Sequence, residues 1–183
     1  MKKALFLSII LSLFFVIACT NNQQKRFSEV QSLEDSLYTV DGAFTSQEHA
    51  EKAMKKFKSF AIDFPEDSTA PVFLLKAGNI ASALNQPEES ILIFKTFDDL
   101  FPDHEMHAFS LMKIATIAND QLNDIETARQ YYQKLIDTYP DSYFAKDAAI
   151  LIEYLGLNEE EQLQRIKEAA GQKPDTPSLA EIE

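Results

Sequence analysis

The sequence predicts an all-α domain, a solenoid of antiparallel helix pairs, and three observations predict it. The 183-residue chain holds only 4 glycines and no tryptophan, with 45% hydrophobic and 25% charged residues, so it is poor in the residues that turn-rich β architecture needs. From Phe27 to Ala170 it is dominated by Ala, Leu, Glu, Lys and Gln, which lose least on entering a helix. An aromatic-proline corner also recurs, as Phe64-Pro65-Glu66-Asp67-Ser68, Phe101-Pro102-Asp103-His104 and Tyr139-Pro140-Asp141-Ser142, with the prolines 37 and 38 residues apart. Such a period marks helix pairs that bury their apolar faces by stacking on their neighbours. The length fits one domain after any export segment is removed.

In chain order, the first element is a leader. Met1-Lys2-Lys3 is basic, Ala4 to Ala18 is apolar apart from Ser8 and Ser12, and Cys19 follows directly on Ala18. This has the shape of a secretory signal, and its apolar run is shorter than the roughly 20 residues a membrane span needs. A small residue followed by the chain's single cysteine resembles the lipobox of bacterial lipoproteins, although Val16 and Ile17 stand where Leu and then Ala or Ser are commonest. The resemblance implies cleavage before Cys19, diacylglycerol on its thiol and acylation of the new amino terminus. Residues 1–18 are therefore expected to be a lipoprotein signal peptide, and 19–27 a lipidated polar tether. Several acyl chains anchor stably where one holds only marginally. Thr20 rather than Asp after the cysteine implies, by enterobacterial sorting rules, the outer membrane. With no second cysteine, the domain forms no internal disulfide.

Eight helices are expected in a domain over 28–170, at 28–41, 46–63, 70–84, 87–100, 105–121, 124–138, 142–155 and 159–170. Before each corner a small residue is followed four later by an aromatic and then three later by an apolar residue: Ala53, Phe57, Phe60; Ser90, Phe94, Phe97; Ala128, Tyr132, Leu135. That spacing puts all three on one helical stripe, the small residue admitting the paired helix. The proline then ends the helix, since it lacks an amide and restrains the residue before it. Thr45 with Glu48, Asn85 with Glu88, Asn123 with Glu126 and Asn158 with Glu161 read as capping boxes at the starts of second helices. Leu155-Gly156 comes about one turn early, so the first helix of the last unit is expected to be short. Gly171 to Glu183, with Pro174 and Pro177, reads as a disordered tail over 171–183.

These features resemble the tetratricopeptide repeat family, with Gly78 at the small first-helix position, Ser90 and Ala128 at the small second-helix position, and Pro65, Pro102 and Pro140 closing units. The resemblance covers roughly Ser28 to Ala170 and implies a right-handed solenoid whose first helices line a protein-binding groove. The units exceed the family's 34 residues, and the end units read as caps. Corners of the Tyr-Pro-Asp-Ser kind are similar to those of two envelope groups, the periplasmic repeat protein of the Tol-Pal system and the repeat lipoprotein of outer-membrane barrel assembly.

The charge excludes some functions. Without Lys2 and Lys3 the mature chain carries 15 basic against 29 acidic residues, a net charge of −14. Its densest basic cluster, Lys52 to Lys58, lies along one helix among acids, so duplex nucleic acid is not an expected partner. His104 and His107 lie three apart beside Asp103 and Glu105, a spacing that metal sites use, but the favoured reading is an exposed corner with Asp103 as a cap. Adjacent acids such as Asp98-Asp99 and Glu88-Glu89 point apart on a helix and make a poor acid-base pair. No phosphate loop, nucleophile elbow or Cys/His pair is present, so no enzyme, cofactor or metal is expected. Tyr131-Tyr132 and most of the 14 phenylalanines are expected to be helix packing rather than ligand contacts.

Shared offsets place Val72, Leu75, Lys76, Asn79 and Ser82 on the groove from one unit, and Phe109, Met112, Lys113, Thr116 and Asn119 from the next. Lys76 and Lys113 recur at one position in an acidic protein. They are expected to grip an acidic or carboxylate-ended peptide, with apolar contact from Phe109 and Met112; the alternative is that both are simply solvated. The favoured function is a non-enzymatic interaction module held by lipid on Cys19, facing the periplasm, that helps to assemble or organise the cell envelope through other envelope proteins. The alternatives are a substrate-binding or catalytic cell-wall lipoprotein, and a self-assembling structural protein using Tyr131 or the amino-terminal helix.

Overall fold

The computed structural model describes residues 21–171. The expected signal peptide, Cys19 with its lipid, and residues 172–183 of the expected tail lie outside the described residues. Within them the chain is all-helical: α1 (residues 21–35), α2 (Gln47–Asp63), α3 (Ala70–Ala83), α4 (Pro87–Leu100), α5 (His107–Asp120), α6 (Ile125–Thr138), α7 (Tyr143–Tyr154) and α8 (Glu159–Gly171). The last seven lie within two residues of the sequence expectation, and α7 is the short first helix that Leu155-Gly156 foretold. From α2 to α7 each helix packs on the next, and α5 also touches α7, the order of a helical-repeat solenoid.

The stripe expected before each corner is the core. Ala53, Phe57, Phe60, Ser90, Phe94, Phe97, Ala128, Tyr132 and Leu135 are all buried, none above 1% exposure. Gly78 lets α4 approach α3 so closely that Ser90 Oγ donates to the Gly78 carbonyl at 2.7 Å, and Ser110 Oγ donates likewise to Phe94 O at 3.1 Å between α5 and α4. Among the described residues every buried side-chain polar atom has a partner, as a dry helix interface requires.

At the corners, Phe64, Phe101 and Tyr139 share φ −132° with ψ 59°, 49° and 56°, outside the helical well that a following proline disfavours. Each donates its amide to the carbonyl four residues back. A tight turn follows, closed by Asp67 N–H to Phe64 O (3.0 Å), His104 N–H to Phe101 O (3.1 Å) and Ser142 N–H to Tyr139 O (3.0 Å). Ser142 caps α7 by accepting the Ala145 amide (3.1 Å), whereas Asp67 and His104 each accept the amide two residues on, from Thr69 (2.9 Å) and Met106 (3.1 Å), just before α3 and α5 begin. At the second corner the accepting side chain is thus His104, not Asp103, and α5 itself begins without a side-chain cap.

Three further expectations are corrected. The first helix spans 21–35, not 28–41: residues 21–27, expected within the tether, are helical because tertiary contacts hold them. Gln23 Nε2 donates to Asp67 (2.8 Å), Arg26 bridges Asp63 (2.6 Å) and Ser59 (3.0 Å), and Phe27 packs on Phe60 and Phe73. Residues 36–45 instead form a hairpin-like turn, with a bridge from Tyr38 to Phe44 whose rings stack at 5.4 Å.

The caps also shift. Ser46 and Asp124 accept from His49 and Thr127 amides, one residue after the expected Thr45 and Asn123, while Gln86 makes no side-chain cap bond. Asn85 (φ 57°) and Asn123 (φ 51°) take the left-handed conformation that reverses the chain between paired helices, a role that Asn fills next best after Gly. Only Asn158 and Glu161 form the reciprocal box, each accepting the other's amide at 2.9–3.0 Å.

His107, expected to be exposed, is buried at 4%. Its Nδ1 lies 2.6 Å from the Tyr139 hydroxyl and its Nε2 2.5 Å from Asp98, which also accepts from Lys134 at 2.6 Å. The Tyr139 hydroxyl reaches Pro102 O at 3.3 Å, tying two corners together.

Candidate binding groove

The first helix of each pair keeps one stripe clear of the core. On α3 the stripe is Val72, Lys76, Asn79 and Ala83, with Val72 43% exposed, spaced as one helical face. Thirty-seven residues on, α5 presents Phe109, Lys113 and Thr116, all partly buried, with Met112 alongside. Leu75, expected on the groove, is buried at 7%. Ser82 and Asn119 lie at the far end, where Ser82 accepts from Gln121 Nε2 at 2.8 Å and Asn119 donates to Asp120 at 2.6 Å.

The two lysines differ in their surroundings. Lys76 Nζ is paired with the Glu34 carboxylate of α1 and lies 5.7 Å from the Phe73 ring centroid. Lys113, at the same register, has no ion pair among the described residues. Burial pushes both ammonium groups below the usual lysine range. A half-buried cation without an acid is a place where an incoming carboxylate replaces lost hydration. Beside it the Phe109 ring packs on Phe144 at 6.0 Å, and the Thr116 hydroxyl donates to Lys113 O at 3.2 Å.

The groove extends further than the sequence reading placed it. Thirty-eight residues after Met112 and Lys113, α7 carries Ile150 (58% exposed) and Leu151 (36%), so the row runs from cationic Lys76 and Lys113 to an apolar end. The corner offset that aligned α3 with α5 identifies these residues too. At the other end, the α1–α2 turn and α3 enclose an open cleft of about 410 Å³ lined by Tyr38, Gly42, Ala43, Phe44, Asn79 and Ala83. On the other helices, the Tyr131 ring centroid lies 5.4 Å from the Lys95 ammonium and 5.9 Å from that of Lys134.

The stacked pairs and their lined groove define a helical-repeat protein. Residues 109–142, most of α5, all of α6 and the corner beyond, match the tetratricopeptide repeat model, so the chain contains a tetratricopeptide repeat, a unit that generally binds other proteins or peptides. No curated protein matches the chain.

Proposed function

We propose that the chain is a non-enzymatic, lipid-anchored interaction module of the bacterial cell envelope, whose groove takes an acidic or carboxylate-ended segment of a partner protein at Lys113. The observation that carries the groove reading is the contrast at one register: Lys76 has Glu34, and Lys113 has no acid among the described residues. Glu34 acts as a built-in stand-in for the ligand's carboxylate, so the two-cation grip expected from the sequence reduces to one open cation with Phe109, Met112 and Ile150 as apolar neighbours. A charge-assisted contact of this kind is worth about 1.5–3 kcal/mol, or roughly 10- to 100-fold in affinity.

The envelope reading rests on the leader: a basic start, an apolar run and Cys19 directly after Ala18. Thr20 rather than Asp after the cysteine supports an outer-membrane anchor, with the domain facing the periplasm. The Tol-Pal and barrel-assembly machineries are the two partner groups that the corner sequences favour.

Crosslinking in intact cells, followed by purification and mass spectrometry, tests both parts. Wild type is expected to recover envelope proteins of one of those groups, Lys76→Met to keep them and Lys113→Glu to lose them. Undiminished recovery by Lys113→Glu refutes the groove reading, and recovery of neither group refutes the assignment to those machineries.

Self-association is the second reading, and one observation favours it. Leu163 and Ile166 of α8 and Tyr143 and Ile150 of α7 are 51–73% exposed at the carboxy-terminal end, whereas Tyr131 and α1 are engaged within the domain. Light scattering across concentrations tests it, and a strictly monomeric protein removes it.

A further inference from the structure

The solenoid has two edges. One holds the three proline corners: Tyr139 of the third reaches Pro102 of the second, and the start of α1 is fixed to the first through Gln23 to Asp67, Arg26 to Asp63 and the Arg26 guanidinium 5.1 Å over the Phe64 ring. The other holds the turns within pairs, where Gln121 donates to Ser82 and where Asn123 and Gly156 line one cleft. Val40, fully exposed, stands on the turn of the first pair. The 17 residues of α2 separate the two edges by about 25 Å.

This geometry bears on the anchor. Cys19 lies two residues before Asn21 in sequence, and two residues reach ~7 Å at most. The tether expected over nine residues therefore shrinks to two. A lipid on Cys19 can hold only the corner edge against a membrane, because the opposite edge is a helix length further away. The corner edge also carries exposed apolar side chains at helix ends, Ile62 (43%), Leu100 (38%) and Tyr143 (73%); tyrosine settles at a lipid headgroup boundary, and aliphatic side chains beside it bury just beneath. Glu66, Asp103, Glu105 and Asp141 stand among them, which suits a zwitterionic surface better than an anionic one.

We propose that the domain is held on its corner edge against the lipid surface, with the helices running away from it, the groove opening sideways and the Val40 turn at the distal edge. This rests on the lipidation reading of Cys19, and its test separates the two. Lipidated full-length protein carrying Ser68→Cys, Asp103→Cys or Val40→Cys, each with a fluorophore on the introduced thiol, is reconstituted into phosphatidylcholine and phosphatidylethanolamine vesicles containing a headgroup-attached nitroxide lipid. Mass measurement of the amino-terminal peptide reports the acyl groups.

The Ser68 fluorophore is expected to lose most of its emission, Asp103 an intermediate share and Val40 almost none. With acyl groups present, quenching at Val40 equal to or above that at Ser68 overturns the orientation alone. An amino-terminal peptide without acyl groups overturns the lipidation reading and the orientation with it.

Discussion

Replacing Gly78 with alanine sets two opposed effects against each other, and the structure says which wins. A Cβ at Gly78 stands 2.8 Å from Phe94 Cε2 and Cζ and 3.0 Å from Cε1, and that ring is fully buried in the α3–α4 interface. In an open helix the change stabilises by about 1 kcal/mol through helix propensity. Here Phe94 cannot yield without displacing its neighbours, and overpacking of this kind costs about 1–3 kcal/mol. The expected net loss is about 1 kcal/mol, a fall of about 2–4 °C in Tm for a domain of this size. Thermal unfolding followed by circular dichroism measures it. Phe94→Leu removes the ring atoms in question, so in that background Gly78→Ala is expected to change sign and stabilise, a coupling that a double-mutant cycle isolates. A rise of several degrees in Tm on Gly78→Ala alone refutes the packing argument.

Three other predictions follow from particular contacts. Asn85→Ala puts a Cβ residue without a hydrogen-bonding side chain at φ 57° and is expected to cost about 1–2 kcal/mol, whereas Asn85→Gly is expected to leave the urea midpoint unchanged or raise it. Burial pushes the Asp98 carboxyl up, but hydrogen bonds from Lys134 and His107 outweigh it and hold the group below the usual range. Its contribution is therefore present above about pH 4 and lost as pH falls through the lowered value. Asp98→Asn is expected to be less stable at neutral pH and to show a flatter decline in urea midpoint below pH 4. Glu34→Gln frees Lys76 and costs less than about 1 kcal/mol of stability, since the pair is partly exposed; it is expected to tighten peptides with two carboxylates up to about tenfold over wild type by calorimetry.

The helix pairs were legible because the signal for them is local and repeated. The corner prolines fix where helices stop, and the small-aromatic-apolar stripe is read by counting. What was not legible depends on tertiary contacts. Asn21 to Lys25 look like a polar linker, and they become helix only because Gln23, Arg26 and Phe27 find partners on α2, α3 and the first corner. Asn85 and Asn123 read as caps one residue early because Asn serves both as a cap and as a left-handed turn residue, and the turns between packed helices take them for the second role. The burial of His107 had a usable signal: its register matches buried Ala70 and Ala145, so the repeat itself placed the imidazole inside. Register likewise reaches Ile150 and Leu151, whereas the pairing of Lys76 with Glu34 depends on where α1 lies and cannot be counted from the repeat.

The central claim is that a partner occupies the groove at Lys113. Photo-crosslinking in intact cells tests it most directly, with a photoreactive phenylalanine at Met112 in the groove or at Leu92, exposed on α4. The account expects a discrete crosslinked protein from Met112, none from Leu92, and loss of the Met112 product when Lys113→Glu is added. Equal products from both positions, or a Met112 product that survives Lys113→Glu, contradict it.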